Sequence, residues 1–380
     1  MAKKERFLSL DVFRGMTVAL MILVNNPGSW DHIYPALEHA KWNGFLGADF
    51  VFPFFLFAMG NAFAFVMPGL REKGTAFFLK KVLKRSVIIF LIGLGLNWLP
   101  FFKWQDDQLV FRAWEEVRIM GVLQRIAIAY LFSALIIYFF KNRGAMIIST
   151  LILIVYTWFC VRYDAANPES AFGASIDKMI LGENHMYKGE GYPFDPEGLV
   201  TTIPTIVQVI FGYFAGWFII NKGKNLRMIR QLLLMGIGIT ILGLLWAEIS
   251  PLNKKIWSSS YVVFSTGLAC VLISILIYLI EIKDFKGFFT RFFDAFGKNP
   301  LFIFVLSGVI PRLQSLIRIE DKMVDGKMTY KTPFRAFYES VCQPLFENEK
   351  NASLMYALIF IFVMWLIAEY MNRRKIYVKV

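Results

Sequence analysis

Apolar residues in this chain fall in long unbroken runs, not in alternation. Ten such runs can be marked, at about 11–28, 47–67, 86–102, 118–140, 145–161, 199–220, 231–249, 258–280, 292–311 and 353–371. Each approaches the ~20 mostly apolar residues that cross a bilayer as a helix. In lipid every backbone polar group must find its partner inside the element or in a closed barrel. A barrel would need period-two alternation, so the runs predict helices. The expected fold is all-α, a polytopic integral membrane protein of about ten transmembrane helices with the lipid bilayer as its first partner. Composition points the same way. The chain has 380 residues, 57% hydrophobic and 17% aromatic, with 39 Phe, against ~45–50% apolar in ordinary globular domains. Its mean hydropathy is +0.53.

Charge then sets the expected orientation. Lys and Arg are densest in 1–10, 68–85, 141–144, 221–230, 281–291 and 372–380, the segments that face the cytoplasm if the N-terminus does. This predicts an N-in/C-in topology. It also accounts for the net charge of +13, so no nucleic-acid partner is expected. The short basic start, MAKKERFLSLDVFRG, lacks a small-residue cleavage site and reads as the lead into an uncleaved first helix. Three Cys, at 160, 270 and 342, give neither a disulfide framework nor metal spacing, and no metal is expected. With no repeat, low-complexity tail or linker, residues 1–380 read as one integral membrane domain. Its long outer loops are about 162–198 and 312–352.

The helix directions bring polar residues from separate runs to one face. Asn25 and Asn26 end the first outward run, His39 follows in the next loop, and Asp49 opens the second run. Arg118 lies at the outer boundary of the fourth run, with Gln124 and Arg125 one to two turns deeper. Asp195 and Glu197 precede the sixth run. Asn253, Lys254 and a serine cluster precede the eighth. Ionisable groups at membrane depth usually serve function, so the convergence predicts a polar site opening outward. At the opposite face, Asp11 and Arg14 lie near the inner end of the first run, and Lys298 and Asn299 near the inner part of the ninth. Cations there suit an anionic cytosolic ligand. An Asp–His pair also fits a proton-coupled transporter. No phosphate loop or dinucleotide turn is present. Pro53 and Pro204 read as helix-interior residues, either kinks around a cavity or ordinary membrane-helix usage.

Five segments together carry a resemblance: LSLDVFRGMTVALMILVNNPG, HAKWNGFLGADFVFPFFLFAMG, RIMGVLQRIAIAYL, DPEGLVTTIP and PLNKKIWSSSYVVFSTG. In order and spacing they resemble the heparan-α-glucosaminide N-acetyltransferase family of membrane acyltransferases, over about residues 6–310 and more weakly to the end. The resemblance implies a transmembrane transfer of acetyl from cytosolic acetyl-CoA to an amino sugar or related glycan acceptor on the other side. It places the family's histidine on His39 and its outer-end asparagine on Asn25, and it implies a homodimer. Lysosomal animal members carry an extra luminal domain and a preceding helix that this chain lacks, and a glycine-rich turn where it reads NNPG. The short form points to a bacterial inner membrane. Bacterial relatives of this form have also been labelled amino-sugar transporters, which is the alternative reading.

The residues suit such chemistry. A neutral imidazole at His39 can take the proton from an attacking amine, or can itself carry the acetyl group as a covalent intermediate. Asn25 can donate to a developing oxyanion. Asp49 can orient the imidazole, or it can only cap the second helix. For the donor, Arg14, Lys298 and Asn299 are expected at the nucleotide end, with Gln124 and Arg125 placed for the arm or the acceptor.

Overall fold

The computed structural model describes residues 7–163, 167–324 and 327–378. The basic stretch 1–6 and the last two residues, part of the charge argument above, lie outside the described residues. Among the described residues the α-helical segments in chain order are α1 (Leu8–Asn25), α2 (Val51–Glu72), α3 (Thr75–Trp98), α4 (Val122–Arg162), α5 (Phe172–Leu181), α6 (Leu199–Lys222), α7 (Leu226–Ala247), α8 (Ser259–Ile277), α9 (Phe288–Lys298), α10 (Pro300–Gln314), α11 (Pro333–Phe337) and α12 (Glu349–Arg373). Among the described residues seven helical segments are long and apolar enough to cross a membrane, or eight if the bent pair α9 and α10 counts as one. The chain is thus an all-α integral membrane protein.

The expected count of ten is not reached by that measure, for local reasons. Helix α3 carries Lys80, Lys81, Lys84 and Arg85 in its first half, too many cations for an apolar span. Runs 118–140 and 145–161 both fall within the range labelled α4, but the backbone is non-helical at Lys141, with φ 54° and ψ −168°, so α4 is two helices meeting at a kink and counts once only by that measure. Run 292–311 is two helices bent by 83° at Asn299, so Lys298 and Asn299 lie at a break rather than inside a span. Pro53 sits in the first turn of α2, where its missing N–H costs nothing, while Pro204 is interior to α6.

Packing is closest where glycines let backbones touch, as in membrane helix pairs generally. A Cβ on Gly60 of α2 would lie 1.9 Å from the Val209 carbonyl oxygen, and one on Gly212 of α6 would lie 2.1 Å from that of Phe57. These reciprocal contacts clamp α2 to α6. Gly15 and Gly297 do the same for α1 and α9, each Cβ falling within about 2 Å of the partner's backbone. The largest buried cluster joins α2, α3, α4, α6 and α8 through residues such as Leu56, Phe78, Ile137, Val207 and Tyr261.

The ends of the bundle differ. At one end the C-terminal stretch packs on the α9–α10 break: Asn299 donates to the Ile376 carbonyl at 2.8 Å and accepts from the Val378 N–H at 2.8 Å. At the other lie two small hairpins that hydropathy alone did not foretell. One pairs β1 (Phe102–Gln105) with β2 (Gln108–Phe111), the other β3 (Ile319–Val324) with β4 (Lys327–Lys331). Arg318 ties them together, its guanidinium lying 4.0 Å from the Trp104 ring and 4.8 Å from the Tyr330 ring.

Candidate active site

Between the C-terminal end of α1 and the loops before α4, α6 and α8 lies a cavity of about 240 Å³. Its wall includes Asn25, His39, Arg118, Glu197, Lys254 and Trp257, and it reaches down α1 past Val24 to Met21.

His39 is held from below. Residues 47–50 form a tight turn into α2 that buries Asp49, only 1% exposed. One carboxylate oxygen takes the backbone N–H of Leu46 at 2.9 Å and of Ala40 at 3.2 Å. The other faces His39 Nδ1 at 2.8 Å. A carboxylate only accepts, so Nδ1 carries the hydrogen and Nε2 keeps its lone pair. Asp49 thus bonds both the backbone of the turn and the His39 imidazole. Tyr261 donates to the Asp49 carbonyl at 2.7 Å and fixes the turn from α8.

Lys254 completes the constellation. Its Nζ lies 2.9 Å from His39 Nδ1, 3.1 Å from Nε2 and 3.6 Å from Asp49. With Nδ1 committed to Asp49, only Nε2 can accept from it. The loop presenting Lys254 is built by Asn253, whose Oδ1 takes the Ile256 N–H at 3.0 Å while its own N–H goes to Ser258 Oγ at 3.1 Å. Asn253 also bonds Asn43 in the His39 loop at 3.1 Å. Burial pulls the Lys254 ammonium below the ordinary lysine range, and the charges of Asp49 and Glu197 offset part of that.

The opposite wall is a second ion-pair group. Arg118 spans Asp195, at 2.9 and 2.5 Å, and Glu197, at 2.6 Å. The DPEG turn aims both carboxylates: Asp195 Oδ1 takes the Glu197 N–H at 2.9 Å, and the Asp195 carbonyl takes that of Gly198. Burial opposes charge on Arg118, yet the two carboxylates raise its pKa above the usual arginine value. Burial likewise opposes charge on Glu197, but Arg118 and Arg125 hold its carboxyl below the usual glutamate range. Behind the turn, Asp177 accepts the first N–H groups of α6, Val200 at 3.2 Å. Burial raises its pKa to about 6.

The expected residues divide. Asn25, His39 and Asp49 come together, and the Asn25 side-chain amide has no partner among the described residues. Gln124 and Arg125 are each 1% exposed and stand behind the cavity wall. Gln124 donates to the Ile119 carbonyl at 2.8 Å. Arg125 bonds the Pro196 carbonyl and the Thr201 hydroxyl, with its guanidinium 5.0 Å from the Trp257 ring that does line the cavity. Arg14, Lys298 and Asn299 lie at the opposite end of α1. Arg14 pairs with Asp11 and donates to the Gly297 carbonyl at 3.2 Å. Lys298 pairs with Asp294 at 2.7 Å and Asp11 at 3.4 Å. Asn299 is buried and engaged by residues 376–378. Sequence reasoning passed over Tyr187 and Glu190, which reach the cavity from the loop before α6. Glu190 is marked by its pairing with Lys255 at 2.5 Å, a contact no spacing reveals. Among the described residues no group of three or more His, Cys, Asp or Glu is arranged to hold a metal.

The structure is thus a helical membrane bundle with a cavity at one end, where His39 lines the wall and the buried Asp49 bonds it from behind. The sequence profile of the family described as heparan-alpha-glucosaminide N-acetyltransferase, catalytic, matches residues 6–243. The chain belongs to that family. Heparan-alpha-glucosaminide N-acetyltransferase from Mus musculus is 28% identical over 360 residues, covering 79% of this chain and 53% of its own length. The Homo sapiens protein of the same name is 28% identical over 365 residues, covering 80% and 53%. The chain thus spans about half the length of these curated relatives.

Proposed function

We propose that this chain is a transmembrane acetyltransferase that passes the acetyl group of acetyl-CoA to the amine of an amino sugar or related glycan in the His39 cavity. The observation that carries this reading is the His39–Asp49 contact of 2.8 Å beside an open cavity, in a chain of this family. Lys254 gives up Nε2 for the carbonyl oxygen, and His39 Nε2 accepts the proton as the amine attacks the thioester carbonyl. Asn25 and Lys254 then face the oxygen on which negative charge grows. The C–S bond breaks, and the sulfur leaves as thiolate and takes up a proton. If His39 attacks first, the same groups serve two transfers through an acetylated imidazole.

In this reading the donor's anionic end rests on Arg14 and Lys298, with Asn299 beside them. Because Asp11 and Asp294 already neutralise these cations, phosphate must take the place of a carboxylate there. Gln124 and Arg125 support the cavity wall through Trp257 and Pro196. The reading also takes residues 1–380 as one membrane domain, both termini as cytoplasmic, a bacterial inner membrane as the location and a homodimer as the assembly. Fractionation of the native membranes and size analysis in detergent test the last two.

The decisive experiment gives purified protein radiolabelled acetyl-CoA and a panel of amino sugars. Labelled sugar is expected with the wild type and none with His39→Ala, while His39→Ala still binds acetyl-CoA. Near-normal turnover by folded His39→Ala refutes the mechanism. Donor-independent sugar flux in vesicles, without acetyl-CoA binding, replaces it with a transporter.

A further inference from the structure

Helix α3 meets the bundle along one narrow stripe. In its first half the buried residues are Phe78, Val82, Ser86 and Ile89, spaced three or four apart, and most of the remaining surface is turned outward. That outer surface carries Lys80, Lys81, Lys84 and Arg85, all exposed. At roughly 100° per residue they fall within an arc of about 140° on one side of the stripe. Leu79, Leu83, Val87 and Leu91 are interleaved with them and continue beyond, each at least 40% exposed.

These cations have no answering charge. From Lys73 to Gln105 the chain holds no Asp or Glu. None of the four makes a hydrogen bond or ion pair among the described residues. The Arg85 guanidinium lies 4.8 Å from the ring of Tyr130, itself 4% exposed. Arg85 therefore stands at the seam between α3 and α4, about 15 Å along α3 from Thr75. Lys80 with Lys84, and Lys81 with Arg85, are like charges four residues apart, an arrangement that destabilises a helix. The scaffold holds them there. Thr75 bonds the Tyr138 hydroxyl at 3.0 Å, Phe78 stacks on the Tyr138 ring at 3.8 Å, and Arg71 donates to the Ile137 carbonyl at 2.8 Å. Just past that junction, at the break in α4, Lys141 and Arg143 add two more exposed cations. A soluble anion would answer the charges and leave the leucines in water. A lipid with an anionic headgroup answers both, because its phosphate meets the cations and its chains cover the apolar side chains.

We propose that the first half of α3 is a binding site for an anionic phospholipid. Its headgroup phosphate joins Lys81, Lys84 and Arg85 at the α3–α4 seam, and its chains run along Val87 and Leu91. The site lies at the end of the bundle opposite the His39 cavity and does not depend on the acetyl-transfer reading, so it is tested with neither acetyl donor nor sugar present.

The probes are dioctanoyl phosphatidylglycerol and dioctanoyl phosphatidylcholine, which share their chains and differ in headgroup charge. Native mass spectrometry of the delipidated protein in neutral detergent gives their affinities. Phosphatidylglycerol should bind about tenfold more tightly, within the attraction of three cations for one headgroup charge, and the advantage should shrink with salt. Combining Lys84→Gln with Arg85→Gln should bring the affinity ratio toward one. Combining Arg227→Gln with Arg230→Gln, which removes the same charge from exposed positions of α7, should leave the ratio unchanged. With no lipid present the α3 variant should unfold no earlier than wild type, since it relieves like-charge pairs; the single variants Lys81→Gln and Lys84→Gln give the same comparison at milder cost. Inorganic phosphate at matched concentration should not displace the lipid. Equal affinities for the two lipids in the wild type overturn the proposal. So does an equal loss of preference in the α3 and α7 variants, which would make the effect one of overall charge. Displacement by inorganic phosphate would overturn the lipid as the occupant.

Discussion

Replacing Asp49 with Asn separates its two roles, because asparagine stabilises a turn about as well as aspartate but cannot hold the imidazole in the same tautomer. The wild-type carboxylate uses one oxygen for the Leu46 and Ala40 N–H groups and the other for His39. Asparagine has one acceptor oxygen. Turned toward His39, its NH₂ faces two part-buried N–H donors, which costs at most about 1–3 kcal/mol for each donor left unpaired. Turned the other way, it keeps both backbone bonds and points NH₂ at His39 Nδ1. That second arrangement is favoured, and it forces Nδ1 to accept, so the hydrogen moves to Nε2 and the base is lost. The equivalent change in a Ser–His–Asp triad costs about 10⁴ in kcat, or about 5.5 kcal/mol of barrier.

The folded state also loses an attraction. At 3.6 Å, Lys254 and Asp49 interact by about 5 kcal/mol at an effective dielectric constant near 20. Lys254 keeps some access to water, so the net loss of stability should be about 3 kcal/mol, at the low end for a broken buried pair. Steady-state acetyl transfer gives kcat and KM, and thermal unfolding in the same detergent gives stability. The expected result is a fall of about 10³–10⁴ in kcat with folded protein at the assay temperature. A folded Asp49→Asn protein with kcat within about tenfold of wild type would refute the orienting role and leave Asp49 as a turn residue.

Three further outcomes follow from the same geometry. The Lys254 ammonium is lost as pH rises through a pKa below the ordinary lysine range, so transfer should show an alkaline limb that moves to higher pH in Lys254→Arg; an unmoved limb removes Lys254 from the chemistry. Asp177 favours its protonated form in the fold, with a pKa of about 6 against 3.8 unfolded; its contribution is present below pH 3.8 and lost as pH rises through 6, so the thermal-stability advantage of Asp177→Asn over wild type should grow across that window, and a constant gap contradicts it. Reporter domains fused after residue 378 and within 167–170 should report opposite sides of the membrane; the same side for both overturns the proposed orientation.

Much of the site was legible because helix direction is legible. Alternating runs put Asn25, His39, Asp49, Arg118, Glu197 and Lys254 at one end, and the structure gathers them around one cavity. What periodicity does not carry is which cation meets which carboxylate. Arg118 and Lys254 look alike as charges in loops, yet one is consumed by Asp195 and Glu197 and the other touches His39. Depth alone does not decide for Arg125, because an arginine in the first turn of α4 can point behind a wall formed by Trp257. The hairpins were missed because strands of four to six residues leave no hydropathy signal beside runs of twenty.

The remaining tension lies along α1, the helix that joins the two ends. From Arg14 to Asn25 is eleven residues, about 16 Å of rise. The cavity descends only to Met21. Between Met21 and Arg14 the helix is sealed: Thr17 is 1% and Val18 0% exposed, and the Gly15–Gly297 contact presses α9 against its lower turn. A donor held at Arg14 and an acceptor held at His39 are therefore separated by packed side chains, roughly 10 Å of them along the axis. Under the proposed transfer, either α1 and its neighbours part to admit the arm of the donor, or the acetyl group is handed over in stages. The break at Asn299 bears on the first route. The α9–α10 pair bends there by 83°, and α9 is the element pressed on Gly15. Closing that bend would carry α9 off α1 at the level where the path is blocked. A Gly15→Ala protein, whose new methyl meets the Phe293 carbonyl in the packed state, should then favour the parted state. It should lose thermal stability while keeping or gaining access of acetyl-CoA to His39. Loss of stability together with loss of donor binding would argue that the packed α1–α9 contact is itself part of the donor's seat.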